Sequence, residues 1–544
     1  MAIGTNTRAD HLQGVADAVG AGDLAQAFEL ASAAVRNGER HPAFHNARAI
    51  WFQNQGRFPE ALAEYHRALE MTPRDPLLLN AIGMCYVSAG QVADAISAFD
   101  SAIAADPNSA ETHFRKGWVL ANSHDNKGAR RAYERALELR PDYTDALAGL
   151  ASVAAQDGEA DVARDYAERC RKLDPTEPTA ITALALVENA AGNFETSEKL
   201  LREALADPRA VGHARAVLLG FLADALDGQD RVADAFAAYA DRNGELRRLH
   251  AARFANAPPM TKVMASLAAY LETAPDSKWQ VGAKPAPVER APREHIFLLG
   301  FLRSGTTLLE RVLDMHPDVV SLEEHQTLAE LSKQYMHVPT GLDRLAALRG
   351  AAYDNARAGY WRGVRALGIE PEGKVFIDKQ PLNTFNLPLI AKLFPDAKVL
   401  FAVRDPRDVV FSCFRRHFEV NSTTFEFMDL VDGARFYAAV MNVGTLCRAK
   451  LPLTVHEHRY EDMIADFDGS VRAVCDYIGL EWTDAMRDFS VKAREEAIRS
   501  PSAEQVRRPL YGESVDLWRR YTKELAPALP ILAPWVKHFG YKMD

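Results

Sequence analysis

An arginine, a serine, a glycine and two threonines stand in a row at 303–307, RSGTT, between an apolar run and an amphipathic stretch. HIFLLG (295–300) predicts a short buried strand and LLERVLDMH a helix, so Arg303, Ser304, Gly305, Thr306 and Thr307 occupy a strand-to-helix turn. Such a turn cradles an anion. Backbone N–H groups point into it, the helix dipole adds partial positive charge, and the two threonine hydroxyls add donors. A nucleotide-triphosphatase loop needs GxxxxGK[ST], with the lysine on the terminal phosphates and a hydroxyl on magnesium. No GK[ST] occurs here, and the cation, Arg303, precedes the glycine. This order suits a 5′-phosphosulfate better than a metal-bound triphosphate.

A second cluster follows about 100 residues later. KVLFAV (398–403) predicts another buried strand; it ends in Arg404-Asp-Pro-Arg407-Asp408, and VVFSCFRRHF then begins a helix. Ser412 and Arg416 are four apart on one helical face, and with Arg404 at the strand end they form a second anion-binding corner. The plainer alternative is that Arg404 and Arg407 pair with Asp405 and Asp408 in a solvated turn. Two such corners suit a donor with phosphates at its 3′ and 5′ positions. Between them, Lys379 in VFIDKQPLN falls at the C-terminal end of a strand, the edge where an α/β sheet places its ligands. Asp378 beside it either holds Lys379 or is a strand-end charge. Glu323, Glu324 and His325 lie just beyond the loop helix; an acidic pair there is a candidate base or simply a solvated helix start.

RSGTTLL followed by VRDPRDVVFSCFRR resembles the sulfotransferases that use 3′-phosphoadenosine 5′-phosphosulfate (PAPS), and among them the tyrosylprotein sulfotransferases. The similarity covers about residues 293–520. It implies that Arg303 to Thr307 bind the 5′-phosphosulfate, and that Arg404, Ser412 and Arg416 bind the 3′-phosphate. It implies further that Tyr460 contacts the adenine, and that Ser502 and Arg508 belong to a late loop closing over the nucleotide. Glu324 takes the place of the catalytic glutamate, with Glu323 and His325 as competitors, and Lys379 and Arg303 stabilise the moving group. Leu517, next to Trp518, stands where the family has a lysine; Arg519 or Arg520 is the candidate replacement. The implied fold is a three-layer α/β, P-loop-like domain with a mainly parallel sheet. The implied reaction moves a sulfuryl group to a hydroxyl, leaves 3′-phosphoadenosine 5′-phosphate and requires no metal. A protein or peptide tyrosine is the implied acceptor; a glycan or small molecule is the alternative. A non-catalytic adaptor that only binds nucleotide is a further reading.

The first half is periodic. Glycines recur at 22, 56, 90, 158 and 192 in 34-residue steps, with His124 in the one gap. Alanines follow at 27, 61, 95, 129 and 163, then Ser197; prolines stand at 73, 107, 141 and 175; and Tyr65, Phe99 and Tyr133 share a slot. Gly turns between two helices, Ala lets their axes approach, the aromatic fills the gap, and Pro stops the second helix. The pattern resembles the tetratricopeptide repeat (TPR) and predicts an α-helical solenoid over 8–245, with Gly228 and Ala233 marking a degenerate last unit. Residues 246–292 read as a helix (Met260–Thr273) and a Pro-rich linker, and 293–544 as the sulfotransferase domain. The solenoid's groove is expected to bind a protein or a sister chain, while His45 and Trp51 read as packing.

Composition limits the classes. With 48% apolar residues and a net charge of −10, the chain reads as globular and neither a nucleic-acid binder nor a membrane-surface protein. Five cysteines without a CxxC pair give no disulfide framework or zinc site, and no apolar leader opens the sequence. The expected location is cytoplasmic.

Overall fold

The computed structural model describes residues 4–279, 288–491 and 514–543. The chain divides into two compact units, Met1–Ala210 and Val211–Asp544.

The first unit is a run of antiparallel helix pairs. Gly22, Gly56, Gly90, Gly158 and Gly192 all adopt left-handed backbone at the intrapair turn, and His124 follows them there at φ 62°. The turn therefore imposes its conformation on a residue that disfavours it. Ala27, Ala61, Ala95, Ala129, Ala163 and Ser197 have no exposed surface. A Cβ on Gly83 would come 2.7 Å from the Phe99 ring, and one on Gly117 equally close to the Tyr133 ring, so small residues seat the aromatics. Asn80 donates to Thr112 Oγ1 (2.7 Å) and Tyr143 to Glu111 (2.6 Å), tying the first helices of successive pairs. His45 bonds Glu64, and Trp51 stacks on Phe28, as packing residues do.

The last repeat hairpin, Gly212–Gly228 and Val232–Phe254, belongs to the second unit. Its register differs from the sequence expectation by two residues. Asp230, not Gly228, carries the left-handed turn, Ala233 is exposed, and Ala235 takes the buried small-residue slot with Tyr239 as its aromatic. Met260–Thr273 forms the expected helix.

The α/β part is built on a five-stranded parallel sheet: β1 (Glu294–Gly300), β2 (Val319–Glu323), β3 (Val375–Lys379), β4 (Lys398–Val403) and β5 (Thr454–Arg459), in the order β2-β3-β1-β4-β5. The chain goes to one side of β1 for β2 and β3 and to the other for β4 and β5, so the crevice for a ligand opens at the C-terminal end of β1. The two-residue period of a strand separates two packing layers. Ile296, Leu298, Val375 and Ile377 bury against the helix that leaves the RSGTT loop (Thr306–Leu313) and the helix Phe467–Ile478. His295, Phe297 and Phe376 face an aromatic layer with Tyr360, Trp361 and Phe394. Fully burying each such side chain contributes about 1.5–3 kcal/mol. β2 was not legible as a strand: it is five residues long and largely half-exposed, and the acidic pair read as a helix start instead ends it.

Candidate active site

Each strand delivers one candidate residue to the same edge. Arg303 lies three residues past β1, Glu324 directly follows β2, Lys379 ends β3, and Arg404 and Tyr460 directly follow β4 and β5. Five of the candidates are thus gathered by sheet topology alone.

The RSGTT loop is buried: Arg303, Ser304, Thr306 and Thr307 are all below a tenth exposed. Arg303 (φ 67°) and Gly305 (φ 89°) both take left-handed backbone, which turns the chain sharply into the helix at Thr306. Among the described residues no side chain caps that helix, so its first N–H groups remain for the loop. A Cβ on Gly305 would stand 2.6 Å from the Tyr460 ring, so only glycine admits the ring this close.

The second corner joins the first directly. Arg404 donates to Arg303 O (3.1 Å) and to Ser514 O, and its guanidinium lies 4.8 Å from the centre of the Tyr460 ring. Arg303 Nε donates to Ser412 Oγ (3.0 Å), and Tyr460 bonds Ser514 Oγ (2.9 Å). The solvated-turn alternative describes only Arg407, which pairs with Asp405 at 2.7 Å, and even that pair is buried. Asp405 caps the helix Pro406–Arg415, while Asp408 accepts the Trp518 N–H (2.8 Å) and Asp516 N–H (2.9 Å). Arg416 stands at that helix's C-cap and lines a small cavity with Asn243, Leu246, Phe418 and Phe427. Beside Leu517, Arg519 lies over Trp518, whereas Arg520 is paired with Asp227 and Asp230 of the repeat hairpin. Ser502 and Arg508 lie outside the described residues.

Lys379 is the electrostatic centre. Its side chain is fully buried, and Nζ lies 2.7 Å from Glu324 Oε1, 3.2 Å from Glu310 Oε2, 3.4 Å from Thr307 Oγ1 and 3.8 Å from Glu323 Oε1. Burial alone would lower its pKa, but Glu310, Glu324 and Glu323 outweigh it and hold the pKa raised, so the ammonium stays charged. Glu324 is fixed twice: its N–H donates to Lys379 O (2.8 Å), and its backbone is left-handed at φ 48°. Glu323 is held by Arg311 at 2.6 Å, and His325 is half-buried.

Asp378 does not hold Lys379. Alternation sends it to the opposite face, where its Oδ2 accepts from Tyr360 (2.7 Å) and from Thr327 (2.8 Å), three residues past Glu324. Tyr360 also meets His295 at 3.1 Å. Burial pushes the Asp378 carboxyl up to about 6. A carboxyl that keeps its proton longer when folded loses stability as pH rises, here between about 4 and about 6, and levels off above. Asp378→Asn is therefore expected to flatten this slope, so urea unfolding should show wild type losing stability relative to the variant between about pH 4 and about pH 6.5. Parallel pH curves would reject this assignment.

Sequence reasoning missed Glu310, Ser514, Tyr360 and Thr327. Only Glu310 left a signal, because it is three residues after Thr307 on one helix face. Among the described residues no cluster of His, Cys, Asp and Glu is arranged to hold a metal, and no helix is long and apolar enough to cross a membrane.

Residues 295–484 match a family described as the sulfotransferase family, and residues 47–110 and 114–178 match the tetratricopeptide repeat. An uncharacterized protein of Aquifex aeolicus is 27% identical over 256 residues, 44% of this chain and 32% of that protein, so the chain spans about a third of its length. Protein-tyrosine sulfotransferase 1 of Danio rerio is 26% identical over 260 residues, 45% of this chain and 72% of its own. Protein-tyrosine sulfotransferase A of Caenorhabditis elegans is 24% identical over 261 residues, 45% of this chain and 67% of its own.

Proposed function

The chain joins tetratricopeptide repeats to a domain of the sulfotransferase family, and from that premise we propose that it moves a sulfuryl group from PAPS to a hydroxyl, the acceptor being a tyrosine of a protein or peptide. The observation that carries this reading is the meeting of Arg303, Lys379 and Glu324 at one sheet edge, with the Lys379–Glu324 pair at 2.7 Å. The residues suit the donor. The buried loop Arg303–Thr307 supplies N–H, hydroxyl and guanidinium donors for a phosphosulfate, and Arg404, Ser412 and Arg416 are the cations and hydroxyl for the 3′-phosphate. PAPS supplies the activated sulfuryl group and a phosphoadenosine leaving group.

Sulfuryl transfer resembles phosphoryl transfer in needing position and charge neutralisation more than covalent work. Lys379 and Arg303 neutralise the oxygens of the moving group. Glu324 accepts the acceptor's hydroxyl proton at a carboxylate oxygen. One of its oxygens is on Lys379 while its side chain remains 24% exposed, which leaves it within reach of an incoming hydroxyl. The names of the Danio and Caenorhabditis relatives favour tyrosine, and repeat arrays of this kind commonly bind proteins, which suits a protein acceptor. All five cysteines are unpaired and buried, which supports the cytoplasm as compartment.

The test is calorimetry with 3′-phosphoadenosine 5′-phosphate, then transfer of labelled sulfate to protein, peptide and glycan pools. Glu324→Ala is expected to keep nucleotide affinity and to lower transfer by about 10²–10⁴-fold. Unchanged transfer removes Glu324 from its role; binding without transfer to any pool favours the adaptor reading.

A further inference from the structure

Glu310 points inward from the loop helix, one turn after Thr307. Its side chain is fully buried 3.2 Å from Lys379, yet neither carboxyl oxygen has a hydrogen-bond donor among the described residues. The charged groups that act on it are Lys379 from β3, Glu323 from β2, and Asp314 and Arg311 from its own helix and the residue that caps it; Glu324 shares Lys379 with it. With all ionised, four carboxylates (Glu310, Asp314, Glu323 and Glu324) face two cations (Lys379 and Arg311), a net charge of −2 beneath a site for a polyanion.

We propose that Glu310 is a positioning residue that is neutral whenever an anionic donor occupies the loop, taking a proton from solvent on binding at alkaline pH, so that the charge of Lys379 is directed to the donor's oxygens and not to a buried carboxylate. The inference rests on the donor reading above. Burial pushes the Glu310 carboxyl up to about 8, with Lys379 pulling it down and Asp314 and Glu323 pushing it further up. An added anion favours the protonated form more strongly still. Binding then takes up protons, and affinity falls as pH rises from about 7.5 to about 9, by up to about tenfold per pH unit. Lys379, held raised, keeps its charge throughout this window. A glutamine at 310 is neutral at every pH, so it removes the linkage without removing the cation.

The experiment is calorimetry of 3′-phosphoadenosine 5′-phosphate binding to the full chain, in two buffers of different ionisation enthalpy, across that pH window. Wild type is expected to take up protons and to bind more weakly at the alkaline end. Glu310→Gln is expected to take up none, to show a flat affinity and to bind more tightly than wild type at about pH 9. A merely structural residue would not tighten binding when replaced. The same proton uptake in Glu310→Gln overturns the role of Glu310 alone; no nucleotide binding by wild type overturns the donor reading and this inference with it. If Glu310→Gln does not fold, infrared difference spectra of wild type at about pH 8.5 decide. A protonated-carboxyl band induced by the nucleotide is expected, and its absence overturns the proposal.

Discussion

Lys379→Met is expected to abolish sulfate transfer and to cost about 3–5 kcal/mol of stability, the usual penalty for removing one partner of a buried ion pair. The side chain has no exposed surface and lies within 4 Å of Glu310, Glu323 and Glu324, so methionine fills the volume but leaves those carboxylates without their shared cation. The deficit has a pH signature. Glu310, already at about 8 with the ammonium beside it, holds its proton still longer without it. A folded state that binds more protons loses stability as pH rises, so the deficit stays level up to about pH 8 and is larger at about pH 9 than at about pH 6. Urea unfolding of both proteins at the two pH values measures it, and an equal deficit at both would show that Glu310 does not answer to Lys379.

Arg242→Met is expected to lower donor affinity at a distance from the loop and to destabilise the second unit by about 3 kcal/mol. Arg242 comes from the repeat hairpin, is 3% exposed, and donates to Phe414 O (2.6 Å) and Arg415 O (2.9 Å). Asn243 adds a bond to Phe414 O (2.9 Å). These are the last carbonyls of the helix Pro406–Arg415, which intrahelical bonding leaves unpaired. Ser412, which receives Arg303, is on that helix's last turn, so loosening its end loosens the joint between the RSGTT loop and the Arg404–Ser412 corner. Methionine keeps the packing volume while removing the donors. Calorimetry with 3′-phosphoadenosine 5′-phosphate and urea unfolding check the two effects. Unchanged affinity in a destabilised variant would make the hairpin a prop for the fold and not for the site.

The candidate site was legible to the extent that its residues sit at strand ends. Arg303, Lys379 and Arg404 each follow or end an apolar run, and a strand followed by a turn needs no tertiary information to be read. Glu324 was singled out from its neighbours Glu323 and His325 only through resemblance, because β2 is short and half-exposed and its acidic end looks like a helix start. Glu310 was passed over because a lone glutamate on an amphipathic helix normally faces solvent. Its burial depends on Lys379, which lies 69 residues away in sequence (379 − 310) and is brought beside it by β3. The last repeat shows the same division. Gly228 and Ala233 marked its turn in the sequence, yet the hairpin turns at Asp230 and buries Ala235 and Tyr239.

By itself the sequence determined the local devices: the helix pairs, the left-handed turns between them, the sharp RSGTT turn and the strands that precede the cations. These depend on neighbours within a few residues, where periodicity and φ preference act. The tertiary structure decided which of those devices meet. The strand order β2-β3-β1-β4-β5 set Glu324 and Lys379 beside the RSGTT loop and Arg404 on its other side. Strand alternation sent Asp378 away from its neighbour Lys379, and burial gave Glu310 a charge balance that no local pattern carries. Desolvation and long-range pairing act through space, so they could be read only once the chain had folded.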